Sequence, residues 1–301
     1  MSFLKILVVF SFLFQLFSCN QNKNTTTTNQ DTMSTGTIRV SVDETLKPLM
    51  EAEFNVFAYL YPLAHLEVSY KPETDVLNDL KNDSARAIIV TRELTTNEME
   101  YYRSIQYIPK SLPFALDGIS IIVNKNNATD SFTMPQLKEI LLGTSKKSLF
   151  VVFDNSASCN IRWLKDSLLK NEPLSKNCFA VKTNPEVIKY VSEHENAIGI
   201  IGTSWISDLD DSNATNRLKM IGRARIALTE KDEYLEPFQS EIKTQRYPLA
   251  RTVYCIQRDG KLGLGTGLQH FLYGEKGQII VLKYGMMPYK QAERSIHFNL
   301  Q

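Results

Sequence analysis

The chain has 301 residues, with 34 Lys and Arg against 33 Asp and Glu, so its formal net charge is only +1. A balanced charge argues against nucleic acid as the main partner, because such a partner requires a basic excess on one face. Without the first 36 residues, which are treated separately below, 301 − 36 = 265 residues remain. That length fits either two lobes or one large α/β unit.

The amino terminus has the pattern of a secretion signal. Lys5 precedes an apolar run over residues 6–14, and Ser18 stands before Cys19. This pattern resembles a bacterial lipobox, so we expect residues 1–18 to be removed as a lipoprotein signal peptide and Cys19 to carry lipid. An uncleaved membrane anchor is the alternative, but the run is shorter than the roughly 20 residues that cross a bilayer.

The next segment is polar. Residues 20–36 consist mainly of Asn, Gln and Thr, which cannot bury enough apolar surface to become ordered. We therefore expect residues 19–36 to form a disordered tether. The expected location is the bacterial cell envelope, on the periplasmic side, with Cys19 as the only attachment to the membrane.

Three cysteines remain once Cys19 is assigned to lipid, and three is an odd number for an oxidising compartment. A bridge between Cys159 and Cys178 and three buried free thiols, including Cys255, are both open alternatives. No CxxC or His–Cys spacing indicates a metal site, and no cofactor is expected.

Strands alternate with helices in the first part of the chain. Residues 38–42 and 66–70 have strand patterns, and residues 85–90 form the continuous apolar run of a buried parallel strand. A short helix is predicted at 74–80, and a capping box at 95–98 starts another. Apolar residues at three- and four-residue spacing predict a helix after the first strand: Leu46, Leu49, Met50, Phe54 and Phe57.

A strand at residues 115–123 is long enough to leave one lobe and enter another. The elements predicted after it are a helix with Pro135 in its first turn and Gly143 beyond its end, a strand at 148–153, a helix at 160–169, a strand at 179–181, a helix opened by Asn184, and a strand at 197–201. A second long strand at 249–257 and two helices end the chain. The predicted fold class is therefore α/β, with two doubly wound lobes joined by two crossover strands.

Four segments resemble the phosphate ABC transporter substrate-binding protein family, a type II periplasmic binding protein family with a Venus-flytrap fold. Residues 115–124 are similar to its hinge strand, and residues 138–143 to the end of the helix that follows. Residues 183–202 are similar to its later helix and strand, and residues 247–251 to its return crossing. The resemblance covers roughly residues 37–290.

The resemblance implies a division into lobes and a place for a ligand. Lobe I would comprise residues 37–114 and 256–301, and lobe II residues 115–255, with hinges near Asp117 and Arg251. Clefts between lobes are common ligand sites, and the N-termini of helices that follow strands suit oxyanions. Three strand-to-helix corners are therefore the candidate binding site.

The first corner contains Asp43, Glu44 and Thr45, where the family generally carries a loop rich in glycine, serine and threonine. Val42 here takes a glycine position. A carboxylate can accept the proton that phosphate keeps at neutral pH, whereas sulfate has none, so an acid can select phosphate. The alternative is that Asp43 caps the helix and Glu44 lies in its first turn.

The second corner contains Thr91 and Arg92, which match a Ser–Arg pair of the family. The planar fork of a guanidinium suits two oxygens of phosphate or carboxylate, so Arg92 is the main expected ligand-binding residue. The alternative is a structural salt bridge from Arg92 to Glu93 or a neighbouring acid.

The third corner contains Ser158, Cys159 and Asn160, which fall near the Ser–Gly–Thr that opens a helix in the family, with Arg162 two residues beyond. Phe153 replaces an arginine that precedes the family loop. Ordinary helix capping by Ser158 or Asn160 is the alternative to ligand binding.

Signs of an enzyme are weak. Residues 263–267 contain glycines before a predicted helix, but Leu268 stands where the last glycine of a dinucleotide motif belongs. The sequence contains no HExxH and no GxSxG. We therefore expect a monomeric, non-enzymatic lipoprotein that captures phosphate or a similar small oxyanion for an ABC permease. The alternative is an envelope-anchored sensory or interaction module of the same fold that no longer binds phosphate.

Overall fold

The computed structural model describes residues 31–127, 129–208 and 210–290, so the predicted signal peptide and Cys19 lie outside the described residues. Lobe I begins with a parallel β/α arrangement, as its apolar patterns predict. Its elements are β1 (Gly36–Asp43), a 3-10 turn (Glu44–Leu46), α1 (Lys47–Leu60), β2 (Ala64–Lys71), α2 (Glu73–Lys81), β3 (Ala87–Val90) and α3 (Thr96–Ser104).

Lobe II repeats the same alternation. Its elements are β5 (Ser131–Thr133), α4 (Met134–Leu142), β6 (Phe150–Phe153), α5 (Cys159–Leu164) with a π-helical continuation (Lys165–Leu169), β7 (Cys178–Ala180), α6 (Asn184–Glu193), β8 (Ala197–Gly202), a 3-10 turn (Thr203–Trp205), α7 (Ser212–Met220), β9 (Ile221–Arg223), β10 (Arg225–Ala227) and α8 (Gln239–Lys243). Capping boxes at Thr95 and Thr133 start α3 and α4, and Gly143 ends α4 with a left-handed φ of 72°.

Two long strands cross between the lobes: β4 (Lys110–Asn124) and β11 (Ala250–Gln257). The chain then returns to lobe I with α9 (Leu264–Tyr273), α10 (Glu275–Lys283) and β12 (Met287–Pro288). The main sheet has the order β2-β1-β3-β11-β4-β8-β6-β7. The first part of β4 pairs with β11 and the second part with β8, so one strand belongs to both half-sheets. The predicted fold class is confirmed and the predicted elements occur in the predicted order, but β4 starts earlier than predicted, and β5, α7, β9, β10, α8 and β12 were not predicted.

The core of lobe I depends on both ends of the folded chain. Leu49 and Phe57 on α1 belong to the same buried apolar cluster as Leu268 and Phe271 on α9 and Val281 on α10. Lobe II has its own apolar clusters on the two faces of its half-sheet. Lobe I is therefore complete only when the last helices are in place.

The predicted tether ends earlier than residue 36. The Asp31 carboxylate accepts hydrogen bonds from the Arg86 guanidinium and from the Leu264 backbone N–H, and Gly36 already begins β1. The expectation of a disordered tether through residue 36 is thus wrong for residues 31–36, because they are bound to lobe I. Within the described ranges, no helix is long and apolar enough to span a bilayer.

The cysteine alternatives are also resolved. Cys159, Cys178 and Cys255 are all free thiols, and Cys178 is half-buried rather than buried. The possible bridge between Cys159 and Cys178 is not formed.

Glu53 is an acid inside the core of lobe I. It lies on α1 with no exposed surface, and neither carboxyl oxygen has a hydrogen-bond partner among the described residues. Burial raises the pKa of Glu53 from 4.5 to about 9, so the folded protein holds this group in its neutral form at neutral pH.

Replacing Glu53 with leucine is expected to raise the free energy of unfolding by about 1–3 kcal/mol at pH 6, because an unpaired buried polar group is removed. The difference in free energy of unfolding between Glu53→Leu and the wild type should increase up to pH 9. Between pH 4.5 and 9 the unfolded wild-type chain releases this proton while the folded chain retains it, so wild-type stability falls as pH rises. Urea unfolding of the wild type and Glu53→Leu at several pH values measures this difference, and a constant difference would contradict it.

The two crossover strands are joined by an ion pair. Arg251 on β11 lies opposite Asp117 on β4, and its Nε and Nη2 donate to Asp117 Oδ2 at 2.9 and 2.8 Å. Both side chains are only 1% exposed.

Replacing Arg251 with methionine should lower the free energy of unfolding by about 3–5 kcal/mol, because it leaves a buried carboxylate without its partner.

The double variant Asp117→Leu with Arg251→Met should recover much of that loss, since it removes both buried charges. Urea unfolding of the two single variants and the double variant forms a double-mutant cycle. Strictly additive losses would show that the pair is not energetically coupled.

Candidate functional site

Polar corners from both lobes meet between them. The corners after β1, β2 and β3 belong to lobe I. The β1 corner contacts the loop after β6 and the first residue of α6, and the β2 and β3 corners contact Arg162 on α5. We call these buried and half-buried polar side chains, together with the ion pair of the crossover strands, the interlobe cluster. Its ionisable acids and bases are Asp43, Glu44, Glu73, Asp117, Asp154, Arg162 and Arg251.

A chain of hydrogen bonds runs from the crossover strands through this cluster. Arg251 Nη1 donates to Cys159 Sγ at 3.1 Å, and the Cys159 thiol donates to Thr45 Oγ1 at 3.4 Å. The Thr45 hydroxyl then donates to Asp154 Oδ2 at 3.1 Å. Arg251 Nη1 also donates to Asn160 Oδ1 at 2.9 Å. The β1 corner is thereby connected to the β6 corner across the two lobes.

The Asp154 carboxylate, in the corner after β6, accepts several hydrogen bonds. Ser158 caps α5 by accepting from the Asn160 backbone N–H, and its hydroxyl donates to Asp154 Oδ1 at 2.6 Å. Asn160 Nδ2 and Asn184 Nδ2 lie 3.4 Å from Asp154 oxygens. Burial raises the pKa of Asp154, while these hydrogen bonds oppose the rise.

Asp43 and Glu44 stand at the end of β1. Asp43 Oδ1 caps the 3-10 turn by accepting from Thr45 N at 2.8 Å, whereas the buried Asp43 Oδ2 has no hydrogen-bond partner among the described residues. Burial, and then the nearby Glu73 and Asp154, raise the pKa of Asp43 to about 7. Burial also raises the pKa of Glu44 to about 7, although Asn184 Nδ2 donates to Glu44 Oε2 at 2.5 Å.

Glu73 opens α2 and lies against Thr91 and Arg162. Thr91 donates to Glu73 Oε1 from its backbone N at 2.9 Å and from its hydroxyl at 2.8 Å. Arg162 on α5 donates to Glu73 Oε2 through Nε and to Thr91 Oγ1 through Nη2 at 2.9 Å. Burial alone would raise the pKa of Glu73, but Arg162 and the Thr91 donors outweigh burial and lower it.

The interlobe cluster carries more acids than bases. Its five carboxyl groups and two guanidinium groups would give 2 − 5 = −3 if all were ionised. It also holds hydroxyl, amide and thiol groups that can both donate and accept. Such a site disfavours a fully ionised anion and favours a ligand that accepts some hydrogen bonds and donates others.

Arg92 is not part of this cluster. Its Nη1 and Nη2 form a forked pair with both Glu98 carboxylate oxygens at 2.7 and 2.8 Å, and Nη1 also donates to the Glu93 backbone carbonyl. Glu98 is the third residue of the α3 capping box. Of the two alternatives for Arg92, the described structure has the salt bridge to a neighbouring acid, and its role in ligand binding stays a prediction.

The other predicted site residues do come together. Those brought into the cluster are Asp43, Glu44, Thr45, Thr91, Ser158, Cys159, Asn160, Arg162 and the expected hinge residues Asp117 and Arg251. Sequence reasoning missed Glu73, Asp154 and Asn184. Glu73 and Asn184 lie at strand-to-helix corners that were not among the three candidates, so applying the corner rule to every such junction would have included them. Asp154 lies in the third corner, where the hydroxyl, thiol and amide residues were chosen instead.

A cavity of about 650 Å³ opens beside β4. It is lined by Ser120, Thr203 and Phe238, among others. Asp117 and Ser120 are three residues apart on β4, so their side chains are on opposite faces of the strand. Ser120 therefore lines the cavity from the face of β4 opposite to the Asp117 side chain. Among the described residues, no group of three or more His, Cys, Asp or Glu side chains can hold a metal ion.

Comparisons with known proteins agree with this architecture. The phosphate-binding protein PstS of Pseudomonas aeruginosa is 22% identical over 283 residues, which cover 84% of each chain. A solved structure from Clostridium perfringens, described as a phosphate ABC transporter substrate-binding protein with bound phosphate, superimposes with a TM-score of 0.71 and 19% identity, over 85% of this chain and 100% of the other.

An ABC-type phosphate transport receptor of Vibrio cholerae has a TM-score of 0.64 and 17% identity, over 83% of this chain and 99% of the other. These structural likenesses concern the fold. The family model described as the PBP superfamily domain matches residues 24–273, well over half of the chain. The chain therefore belongs to the PBP superfamily.

Proposed function

We propose that this protein is an extracytoplasmic solute receptor that captures a small oxyanion, phosphate first, between its lobes and delivers it to an ABC permease. The relatives named above are phosphate-binding proteins and phosphate transport receptors, and they match most of the chain. The proposed action is binding and release without catalysis.

The observation that carries the choice of phosphate is the environment of Asp43. Its Oδ2 is a buried acceptor with no partner among the described residues, and its pKa is about 7. The cluster also contains the donors of Arg162 and Arg251. Phosphate at neutral pH keeps a proton that it can donate to the ionised Asp43 carboxylate, whereas sulfate has none. This combination therefore favours phosphate.

The lobes would open and close by bending the crossover strands. We place lobe I at residues 31–114 and 256–290 and lobe II at residues 115–255, with the hinge near Asp117 and Arg251. Attachment to the membrane through a lipid on Cys19, after removal of residues 1–18, is part of the proposal and rests on the sequence pattern alone.

One observation favours a second candidate, an envelope-anchored sensory or interaction module that does not bind phosphate. The donors expected to bind an anion already have carboxylates of the chain itself as partners: Glu98 for Arg92, Glu73 for Arg162, and Asp154 for Ser158. An external anion must displace or share these partners.

Calorimetric titration of the mature protein with phosphate, sulfate and acetate distinguishes the two candidates. We expect heat with phosphate alone, and a loss of at least about tenfold in affinity in Arg162→Met, since a charge-assisted contact contributes about 1.5–3 kcal/mol. Arg103→Met, a change at an exposed arginine of α3, is the matched control. The absence of binding heat with all three anions would contradict the phosphate proposal.

Phosphate affinity should increase as pH falls from 8 to 6. Glu44, with a pKa of about 7, takes up a proton over this range and ceases to repel the anion, while at Asp43 one proton, brought either by phosphate or by the carboxyl group, lies between the two. Phosphate also changes its own charge, so the comparison is with the double variant Asp43→Asn with Glu44→Gln, which retains only the ligand's titration. Equal pH profiles of the two proteins, by calorimetry, would show that these acids do not face the ligand.

A further inference from the structure

Glu73 is a buried acid that the sequence analysis did not single out. It is the first residue of α2, directly after the corner that follows β2, and it is 2% exposed. It belongs to lobe I, whereas Arg162 belongs to α5 of lobe II. The ion pair between Glu73 and Arg162 is therefore a direct bond between the lobes.

The partners of this carboxylate are of the kinds that recognise a free anion. Glu73 Oε1 accepts from a backbone N–H and a hydroxyl of Thr91, while Arg162 donates to Oε2 through Nε and lies 3.4 Å from Oε1 through Nη2. A backbone amide, a hydroxyl and a forked guanidinium are together sufficient hydrogen-bond donors to bind a small oxyanion or carboxylate. The low pKa of Glu73 agrees with a charged form held by these donors.

We propose that Thr91 and Arg162 form an anion subsite, and that Glu73 occupies it as a tethered anion that holds the lobes together when no solute is bound. This inference rests on the proposed function, because it assumes that an external oxyanion uses the same donors. A phosphate group then enters this subsite by displacing the Glu73 side chain.

Other charged groups near the Glu73 carboxylate affect how readily an external anion replaces it. Arg92 and Asp43 interact electrostatically with Glu73, and Asp166 lies 3.4 Å from Arg162 Nη1. The surroundings therefore contain a second cation and two further acids. An incoming monoanion that replaces the Glu73 carboxylate leaves the charge at Arg162 balanced.

A tethered competitor acts at an effective concentration in the millimolar range, which weakens the apparent affinity of any free anion for the same donors. Its removal should therefore strengthen anion binding. Glu73→Gln keeps the size of the side chain and an acceptor for Thr91 but withdraws the charge from Arg162. Glu73→Ala leaves the subsite empty.

The experiment combines calorimetry with small-angle scattering on the mature protein at fixed ionic strength. We expect Glu73→Gln to bind phosphate at least about tenfold more tightly than the wild type. Without added anion, Glu73→Ala should have a larger radius of gyration than the wild type, and phosphate or acetate should restore the smaller radius. Glu233→Gln removes a carboxylate paired with Arg246 on the surface, and it is the matched control that should change neither quantity.

The outcomes separate this inference from the proposed function. Equal phosphate affinity in the wild type and Glu73→Gln overturns the tethered anion and leaves phosphate capture intact. Anion binding by Glu73→Gln but not by the wild type supports the tethered anion and removes phosphate as the solute of the natural protein. Loss of phosphate binding in a folded Glu73→Gln would show that Glu73 is itself needed for the ligand. If neither protein binds and the radius is unchanged, both proposals fail.

Discussion

The excess of buried carboxyl groups between the lobes is the constraint on which the rest of the structure depends. A buried carboxylate is stable only when cations and donors compensate for its lost hydration. Arg251 compensates Asp117 and Arg162 compensates Glu73, while Thr45 donates to Asp154 and Asn184 donates to Glu44 from the opposite lobe. Closure of the lobes therefore also supplies part of the hydrogen bonding that stabilises the buried acids.

Asp43 and Glu44 show what happens where compensation is incomplete. Among the residues that the structure describes, no guanidinium donates a hydrogen bond to either of them, and burial raises both pKa values to about 7. Such groups exchange protons near neutral pH, so the charge of the cleft is variable. A solute that brings its own proton has an advantage over one that does not.

The sequence predicted the architecture better than the chemistry of the cleft. Apolar periodicity, capping boxes and the two long strands depend on local pattern, and β4 and β11 follow from it. The partner of Arg92 could not be assigned in the same way, because Glu93, Glu98 and an external anion are chemically similar partners. Packing decides among them, and it places Glu98 within reach of both guanidinium prongs.

Glu73 and Asp154 were missed for a related reason. Glu73 stands at the start of a helix, where an acid is explained by its favourable interaction with the helix dipole, and Asp154 directly follows a strand. Neither sequence position gave a sign of a partner in another lobe. Arg162 follows Glu73 by 89 positions, and Thr45 precedes Asp154 by 109. Contacts over such separations exist only once the topology is known.

The return of the chain to lobe I after lobe II has a consequence for biogenesis. The apolar faces of α1 and β1 are covered partly by α9 and α10, which follow lobe II in the chain. Lobe II can complete its packing before α9 and α10 are made, whereas lobe I retains uncovered apolar surface until they follow. Folding of lobe II therefore does not wait for lobe I, but folding of lobe I waits for the segment beyond lobe II.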